Sequence, residues 1–275
     1  MPNNKDIGDG FLEITGRKKI KKKILYKNEN KNRMRAVVGQ LHSLDLFEKK
    51  LLKVEVEMIA SDFLKRNLRT LQKILSMIKL EKFKRMICLG IGPFSFNIDC
   101  LHQLAFFMIL IKKFDIRDVE FYDPVLTEHE KIFLTSKNIK ITPENYEGFY
   151  SIDSSTLVCL PHCPVELTNN ILWQNWSPNS LSKIVLLCNS IDEVLAKNSE
   201  TANENYKELK KISSCIKEFP LENNYCFRDI FNNMAFHLFD MQSEKLSSEG
   251  FWVKESKPLV SSAEMITNDL EKIKI

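Results

Sequence analysis

The chain has 275 residues, of which 44% are hydrophobic and 28% are charged, proportions typical of a soluble globular protein with a buried core. Its formal charge of +4 is unevenly distributed, because residues 17–35 alone carry +9 and leave −5 for the rest of the chain. The longest apolar run, Leu104 to Ile111, has eight residues, well short of the roughly 20 that a membrane-spanning helix needs. The composition excludes a collagen-like or low-complexity chain, and the short apolar run excludes a membrane-spanning helix.

Residues 1–40 are predicted to form a disordered basic arm. They hold few large apolar side chains, and the repulsion within the basic window opposes compaction. The start, MPNNKDIGDG, lacks the apolar core of a secretory signal, so the seven Cys are expected to be thiols in the reducing cytosol or nucleus. The role of residues 17–35 remains open. They could contact nucleic acid, acidic lipid or the nuclear-import machinery, or they could be a simple solvated tail.

Residues 41–82 are predicted to form a long amphipathic helix that packs on the domain after it. No Gly or Pro occurs from Phe47 to Leu80, and apolar residues recur at steps of three and four. The apolar stripe changes phase near Ser61–Leu64. A kink is therefore compatible with the pattern, and one continuous coiled-coil seam is not.

From Met86 onward, short apolar runs alternate with helical stretches, which is typical of a parallel sheet covered by helices. Residues 83–245 are predicted to be a Rossmann-like α/β domain with a mostly parallel sheet and helices on both faces, and residues 246–275 a C-terminal tail. The predicted strands are Met86–Leu89, Val119–Tyr122, Ile139–Thr142, Thr156–Leu160 and Ile184–Cys188, with closing strands at Ile212–Phe219 and Ala235–Phe239.

The predicted helices are Phe96–Phe114, Thr127–Ser136, Val165–Trp173 and one that opens near Ser190. The first of them is apolar on nearly all sides, so it is expected to be sandwiched between other elements. The polar stretch 197–209 is predicted to be a surface loop.

The sequence GIGPFS, residues 90–95, joins the first strand to the first helix of the domain. Nucleotide-binding folds place a Gly-rich turn there, with backbone N–H groups directed at a phosphate. Pro93 removes one donor, and Ser95 replaces the third Gly of the dinucleotide fingerprint. Asp123 ends the second strand, where an acid would bind a ribose hydroxyl. The structural alternatives are a tight turn with Ser95 as the helix N-cap, and an Asp-Pro turn whose carboxylate caps local N–H groups.

The sequence LPHCP, residues 160–164, lies at the carboxyl end of the fourth strand. His162 and Cys163 could form an acid/base and nucleophile pair, a metal site or a haem-responsive Cys-Pro dipeptide. Neighbouring residues of a strand point to opposite faces, and no second Cys pair completes a zinc site. A buried, hydrogen-bonded His162 is favoured over these alternatives. Because open sheets bind ligands at this edge, the predicted cofactor-binding cleft comprises Gly90, Gly92, Ser95, Asp123, His162 and Asn189.

These motifs resemble the SRR-like family, named for "sensitivity to red light reduced". The resemblance runs from about Met86 to Phe239 and rests on ICLGIGPFS, VEFYDPV, LPHCP with NNILWQNWS, LSKIVLLCNS and FNNMAFHLF. It implies a regulatory role in circadian-clock input and gene expression, and control of haem biosynthesis and clock genes in animals, with no assigned catalytic residue. The positions that match the family motifs are Gly90, Gly92, Ser95, Gln103, Asp123, Pro124, His162, Cys163, Asn170, Trp173, Asn175, Trp176, Asn189 and Ser190.

The expected function is therefore a non-enzymatic, cytosolic or nuclear regulator that senses a ligand or docks unidentified partner proteins. S-adenosylmethionine, a nucleotide and haem are the candidate ligands, and no metal site is predicted. The alternative is an S-adenosylmethionine- or nucleotide-dependent enzyme of the methyltransferase type. The order of the Gly-rich turn, the acid-ended second strand and the Pro-containing fourth-strand edge would suit such an enzyme.

Overall fold

The computed structural model describes residues 44–197, 206–243, 246 and 248–258. The predicted basic arm with its window 17–35, most of the predicted loop 197–209 and residues 259–275 of the predicted tail lie outside these ranges. The chain divides into two compact units, Met1–Glu48 and Lys49–Ile275, and the described residues 44–48 of the first unit are helical. Among the described residues no helix is both long and apolar enough to cross a membrane.

Two helices occupy the region where one long helix was predicted: α1 at residues 44–60 and α2 at Asp62–Met77. Ser61 separates them, because its hydroxyl donates to the Met58 carbonyl at 2.6 Å and accepts from the Leu64 N–H at 3.2 Å. A serine that takes the N-cap position gives the backbone an alternative to the helical hydrogen bond. The long helix is thus interrupted at the position where the apolar stripe changes phase.

A seven-stranded sheet forms the centre of the domain, in the order β3-β2-β1-β4-β5-β7-β6. The strands are β1 Arg85–Leu89, β2 Asp118–Tyr122, β3 Lys140–Ile141, β4 Thr156–Leu160, β5 Ile184–Asn189, β6 Ile216–Pro220 and β7 Met234–Phe239. Strands β1 to β5 pair in parallel, whereas β7 runs antiparallel to both β5 and β6. The prediction of a mostly parallel α/β sheet with two closing strands is confirmed. Because β1 to β5 are parallel, their carboxyl ends lie at one edge of the sheet, where the strand order reverses between β1 and β4.

The helices of the domain are α3 Ile98–Lys113, α4 Glu128–Ser136, α5 Val165–Gln174, α6 Pro178–Leu181, α7 Ile191–Lys197 and α8 Lys207–Ile212. Every residue of α3 from Leu101 to Leu110 is buried, as expected for a helix that is apolar on nearly all sides. The N-cap of α3 is Asn97 and not Ser95, because the Asn97 side chain accepts from two N–H groups of the first turn.

Helix α8 corrects the prediction that residues 197–209 are a surface loop, since it begins at Lys207 and buries Leu209 and Ile212 completely. Asn169 on α5 stabilises this helix: its amide donates to the Glu208 carboxylate at 3.0 Å and its carbonyl oxygen accepts from the Leu209 N–H at 3.0 Å. The predicted strand from Ile212 correspondingly begins only at Ile216.

Aromatic packing joins α2 to the domain. The Phe63 ring lies 5.5 Å from the Phe106 ring of α3 and 4.7 Å from the Phe231 ring that precedes β7. All three side chains are fully buried. Such pairs stabilise the fold beyond the area they bury, so α2 is an integral layer of the domain.

Candidate functional site

The Gly-rich turn after β1 is packed against thiols. Gly90 and Gly92 have φ of +69° and +78°, a backbone conformation that favours glycine. A Cβ at Gly90 would collide with the Cys163 sulfur, and one at Gly92 would lie 2.6 Å from the Cys100 sulfur. The two thiols therefore explain why these positions have no side chain, and the Gly90 and Gly92 N–H groups already donate to the Tyr122 carbonyl and to Asp123.

Asp123 closes the same turn from β2. Its two carboxylate oxygens accept from the Gly92 N–H at 2.7 Å and the Val125 N–H at 2.9 Å. Burial raises the pKa of Asp123 above its ordinary value, and the hydrogen bonds from Val125 and Gly92 only partly offset this effect. The structure thus brings Gly92 and Asp123 together as predicted, but the Gly92 N–H and the Asp123 carboxylate hydrogen-bond to each other.

Ser95 is held by Glu130, a fully buried residue that the sequence interpretation missed. The Ser95 N–H and hydroxyl donate to one Glu130 oxygen at 2.7 and 2.8 Å. The other oxygen accepts from the N–H and hydroxyl of Thr127 at 2.8 and 2.9 Å. Thr127 and Glu130 form the capping box of α4, a spacing that is visible in the sequence as T-x-x-E. Glu130 therefore fixes the Gly-rich turn on α4.

His162 and Cys163 point in different directions, but not because side chains alternate along a strand, since both lie in the turn after β4. The Cys163 thiol is buried and donates to the Leu89 carbonyl at 3.3 Å. His162 is exposed, which corrects the expectation of a buried imidazole, although its Nε2 does hydrogen-bond to the Ile230 carbonyl at 3.0 Å. Its left-handed backbone, with φ of 52°, turns the side chain out of the strand end. Because a carbonyl only accepts, Nε2 carries the proton and Nδ1 of the neutral ring is an acceptor.

An open cleft of about 380 Å³ lies at the carboxyl ends of β4 and β5. It is lined by His162, Asn189, Ser190, Glu193, Val194, Lys197, Asp229, Asn232 and Asn233. The cleft unites two of the predicted site residues, His162 and Asn189. Gly90, Gly92, Ser95 and Asp123 lie outside its walls, so the six predicted residues form two separate groups.

Asn189 carries an unsatisfied acceptor at this cleft. Its Nδ2 donates to the Cys163 carbonyl at 3.2 Å, which fixes the orientation of the amide. Its Oδ1 is buried and has no hydrogen-bond partner. A buried acceptor left unsatisfied costs about 1–3 kcal/mol, and only a donor group brought within hydrogen-bond distance of this oxygen would recover that free energy.

Two lining residues of the cleft, His162 and Asn233, have left-handed backbones, with φ of 52° and 53°. His and Asn adopt this conformation more readily than most residues. The Asn233 carbonyl accepts from the Ser190 N–H at 2.6 Å and ties the start of α7 to the turn before β7.

A buried charged cluster supports the α7 wall of the cleft. The Glu218 carboxylate on β6 accepts from the Ser190 hydroxyl at 2.6 Å and from the Ile191 N–H at 2.9 Å. It also contacts Nε2 of the fully buried His237 on β7 at 3.0 Å, and Nδ1 of His237 lies 3.5 Å from the Cys188 sulfur. No local sequence pattern reveals this cluster, because its members come from β5, β6 and β7.

The cluster shifts both titrating groups. Burial raises the pKa of Glu218, but hydrogen bonds from His237 and Ser190 outweigh burial and lower it to about 2. Burial lowers the pKa of His237, but Cys188 and Glu218 outweigh burial and raise it to about 9. At neutral pH the pair is therefore an imidazolium and a carboxylate that anchor the start of α7.

Metal and thiolate chemistry find no support in this region. Within the described part of the chain, no group of three or more His, Cys, Asp or Glu side chains is arranged to hold a metal ion. Burial also raises the pKa of the Cys163 thiol far above its ordinary value, so this sulfur is not an available thiolate ligand or nucleophile.

Comparison with known proteins matches residues 68–238 to the family model described as the SRR1 domain. An SRR1-like protein of Drosophila melanogaster is 30% identical over 263 residues, which cover 94% of this chain and 94% of that protein. An SRR1-like protein of Mus musculus is 32% identical over 139 residues, or 48% of this chain and 55% of that protein. Protein SENSITIVITY TO RED LIGHT REDUCED 1 of Arabidopsis thaliana is 32% identical over 108 residues, or 38% and 39% of the two chains. The family match extends from α2 into β7 and so contains the whole cleft.

Proposed function

The chain belongs to the SRR1 domain family, and from this premise we propose that it is a regulatory protein whose Rossmann-like domain senses a small polar ligand. The strand order from β3 to β5 supports the Rossmann-like part of this proposal. The Arabidopsis relative is named for sensitivity to red light. We accordingly place the chain in a light- or clock-input pathway of the cytosol or nucleus, with control of haem biosynthesis as the output that the family resemblance implies for animals.

The unsatisfied Oδ1 of Asn189 carries the ligand-sensing part of the proposal. Its cleft of about 380 Å³ lies within the usual size range of small-molecule sites. Glu193 and Lys197 pair with each other at 3.0 Å, which leaves the Asp229 carboxylate as the uncompensated charge of the walls. A polyphosphate is disfavoured by this carboxylate. The walls instead favour a neutral or cationic molecule with N–H or O–H donors, such as a nucleoside or S-adenosylmethionine.

Thermal-shift measurements with adenosine, S-adenosylmethionine, ATP and haem test this proposal. We expect adenosine or S-adenosylmethionine to raise the melting temperature, and Asn189→Leu to abolish the rise. Asn223→Leu is the matched control, because Asn223 also donates to a carbonyl and carries a buried, unpartnered Oδ1 but lies outside the cleft. The proposal fails if none of the four compounds stabilises the protein, or if both variants respond alike.

The enzyme alternative is supported by the order of the sequence motifs but not by the geometry of the Gly-rich turn. It would use Asp123 to bind a ribose and the Gly-rich turn to hold the cofactor, yet both Asp123 oxygens accept from N–H groups of their own turn. S-adenosylmethionine binding that is lost in Asp123→Asn but retained in Asn189→Leu would reverse this preference.

A further inference from the structure

We propose that a second face of the domain docks an acidic peptide segment of a partner protein that inserts a bulky apolar side chain. This face, called here the Phe96 face, surrounds an open hollow of about 420 Å³. Its lining residues come from α1, the turn after β1, the start of α3 and the segment before β7. The argument depends on Phe96, Ile98, Phe227, Lys50 and Lys53.

Three large apolar side chains of the Phe96 face are exposed to solvent. Phe96 is 82% exposed, Ile98 57% and Phe227 51%. Single exposed apolar residues are ordinary, whereas a group of them around one hollow marks an interaction site. The density of exposed apolar side chains thus distinguishes this hollow from the polar cleft at Asn189.

The turn that presents Phe96 is rigidly held. The Phe96 and Asn97 N–H groups both donate to the Pro93 carbonyl, at 3.1 and 3.0 Å. Ser95, one residue earlier, donates twice to the buried Glu130. An anchor that is fixed before binding loses less conformational entropy on association. The Phe96 ring is therefore presented from a preorganised turn.

The base of the hollow is also ordered. His102 on α3 is almost fully buried, and its Nδ1 hydrogen-bonds with the Tyr225 hydroxyl at 2.5 Å. Its ring lies 5.1 Å from the Phe227 ring in an edge-on arrangement. Burial lowers the pKa of His102, so the imidazole is neutral and adds no charge. With the buried Phe94 and Leu101 beside it, the base suits an apolar side chain.

The rim of the hollow carries one net positive charge. Lys50 and Lys53 of α1 line it together with a single acid, Glu57, which lies 3.9 Å from Lys53. Lys50 has no ion pair among the residues that the structure describes. The described residues have no net charge, since the −5 outside residues 17–35 comes from other parts of the chain. Lys50 is therefore a local positive charge that a partner segment with Asp or Glu beside its apolar residue would complement.

The Phe96 face and the Asn189 cleft share no lining residue. Peptide docking and small-ligand sensing can therefore fail separately. Loss of peptide binding in a Phe96 variant leaves the thermal-shift response at Asn189 intact, and the reverse holds for Asn189→Leu.

Selection from a random-peptide phage library on the immobilised full chain tests the proposal. We expect enrichment of peptides that carry an aromatic or Leu residue flanked by Asp or Glu. Fluorescence anisotropy of an enriched, labelled peptide should show binding weakened about tenfold or more by Phe96→Ser. Lys53→Glu should weaken it by roughly threefold to tenfold, and salt should weaken it further.

The controls are Val253→Ser and Lys65→Glu, which change an exposed apolar and an exposed basic side chain outside the hollow. Phe96 is so exposed that its replacement should leave the melting temperature unchanged, so weaker binding would report the surface and not the fold. The proposal is overturned if no peptide is enriched, if the enriched peptides are basic or lack apolar residues, or if Phe96→Ser binds like the controls.

Discussion

Replacing Glu218 by Gln tests whether a buried charged pair anchors the α7 wall of the cleft. Gln keeps the shape of the side chain and an oxygen that can accept from the Ile191 N–H, but it removes the negative charge beside His237. The imidazole then loses one of the two contacts that keep it protonated, the Cys188 sulfur being the other. We expect the variant to fold with a less stable start of α7.

The pKa values define the pH range in which the pair stabilises the protein. The pKa of His237 rises from 6.5 to about 9, so its contribution is complete below pH 6.5 and is lost as the pH rises through about 9. The pKa of Glu218 falls from 4.5 to about 2, so its contribution is present above pH 4.5 and is lost as the pH falls through about 2. Both contributions are complete only between pH 4.5 and pH 6.5, for example at pH 6.

The magnitude follows from the His237 shift, at about 1.4 kcal/mol for each pKa unit. The full shift corresponds to about 3 kcal/mol. Because Cys188 accounts for the larger part of it, the loss in Glu218→Gln is expected to be about 1–1.5 kcal/mol near pH 6. The shift in the Glu218 pKa reflects the same interaction with His237, so its free energy is not added to this figure. Above about pH 9 the imidazole is neutral, so the loss should shrink to that of the altered hydrogen bonds.

Urea denaturation near pH 6 and near pH 10 measures this difference. Glu222→Gln is the matched control, since the Glu222 ion pair with Arg66 is exposed and should contribute less than about 1 kcal/mol. A free energy of unfolding that drops equally at both pH values in Glu218→Gln would refute the reasoning. So would a loss no larger than that of Glu222→Gln.

Two further predictions concern the thiols. Gly90→Ala should lower the free energy of unfolding by about 2–4 kcal/mol, because it adds a left-handed alanine and a collision with the Cys163 sulfur. Adding Cys163→Ala to the Gly90→Ala chain should recover the part of the lost stability that is due to the collision. Denaturant titrations in which the two losses simply add would contradict this account. Iodoacetamide should modify the exposed Cys226 well before the buried Cys88, Cys159, Cys163, Cys188 and Cys215. Mass spectrometry of a time course would reveal the order, with Cys226→Ser as the control, and early modification of a buried thiol would count against the packing described for it.

The parallel strands and α3 are predictable because their signals are local. The runs MICL and TLVCL contain only residues that a buried strand accepts, and β4 was predicted with both of its ends. Asp123 also falls directly after the last residue of the second strand, as predicted. Such elements are specified by hydrophobic runs bounded by turn residues, so neighbours in the chain are sufficient to identify them.

The elements that sequence interpretation missed depend on partners that are distant in the chain. Helix α8 is predicted as a loop because of the polar residues before it, although Lys and Glu favour helices; its contacts with Asn169 of α5 are not visible in the local sequence. The Glu218–His237 pair needs β6 and β7 to lie side by side. His162 was expected to be buried because the local sequence does not disclose its left-handed backbone. Tertiary contacts determine all three features.

The motifs shared with the family form one connected structure that ends at the cleft. Gly90 lacks a side chain where the Cys163 sulfur lies, and this sulfur donates to the Leu89 carbonyl. The Cys163 carbonyl, held in place by that packing, accepts from the Asn189 amide and leaves the Asn189 Oδ1 without a partner at the cleft. The Gly-rich turn therefore packs on Cys163, and the Cys163 carbonyl orients the Asn189 amide, so under the proposed function the turn would affect a ligand only indirectly. A substitution at Gly90 that the fold survives should consequently weaken ligand binding at Asn189, although Gly90 contributes nothing to the walls of the cleft.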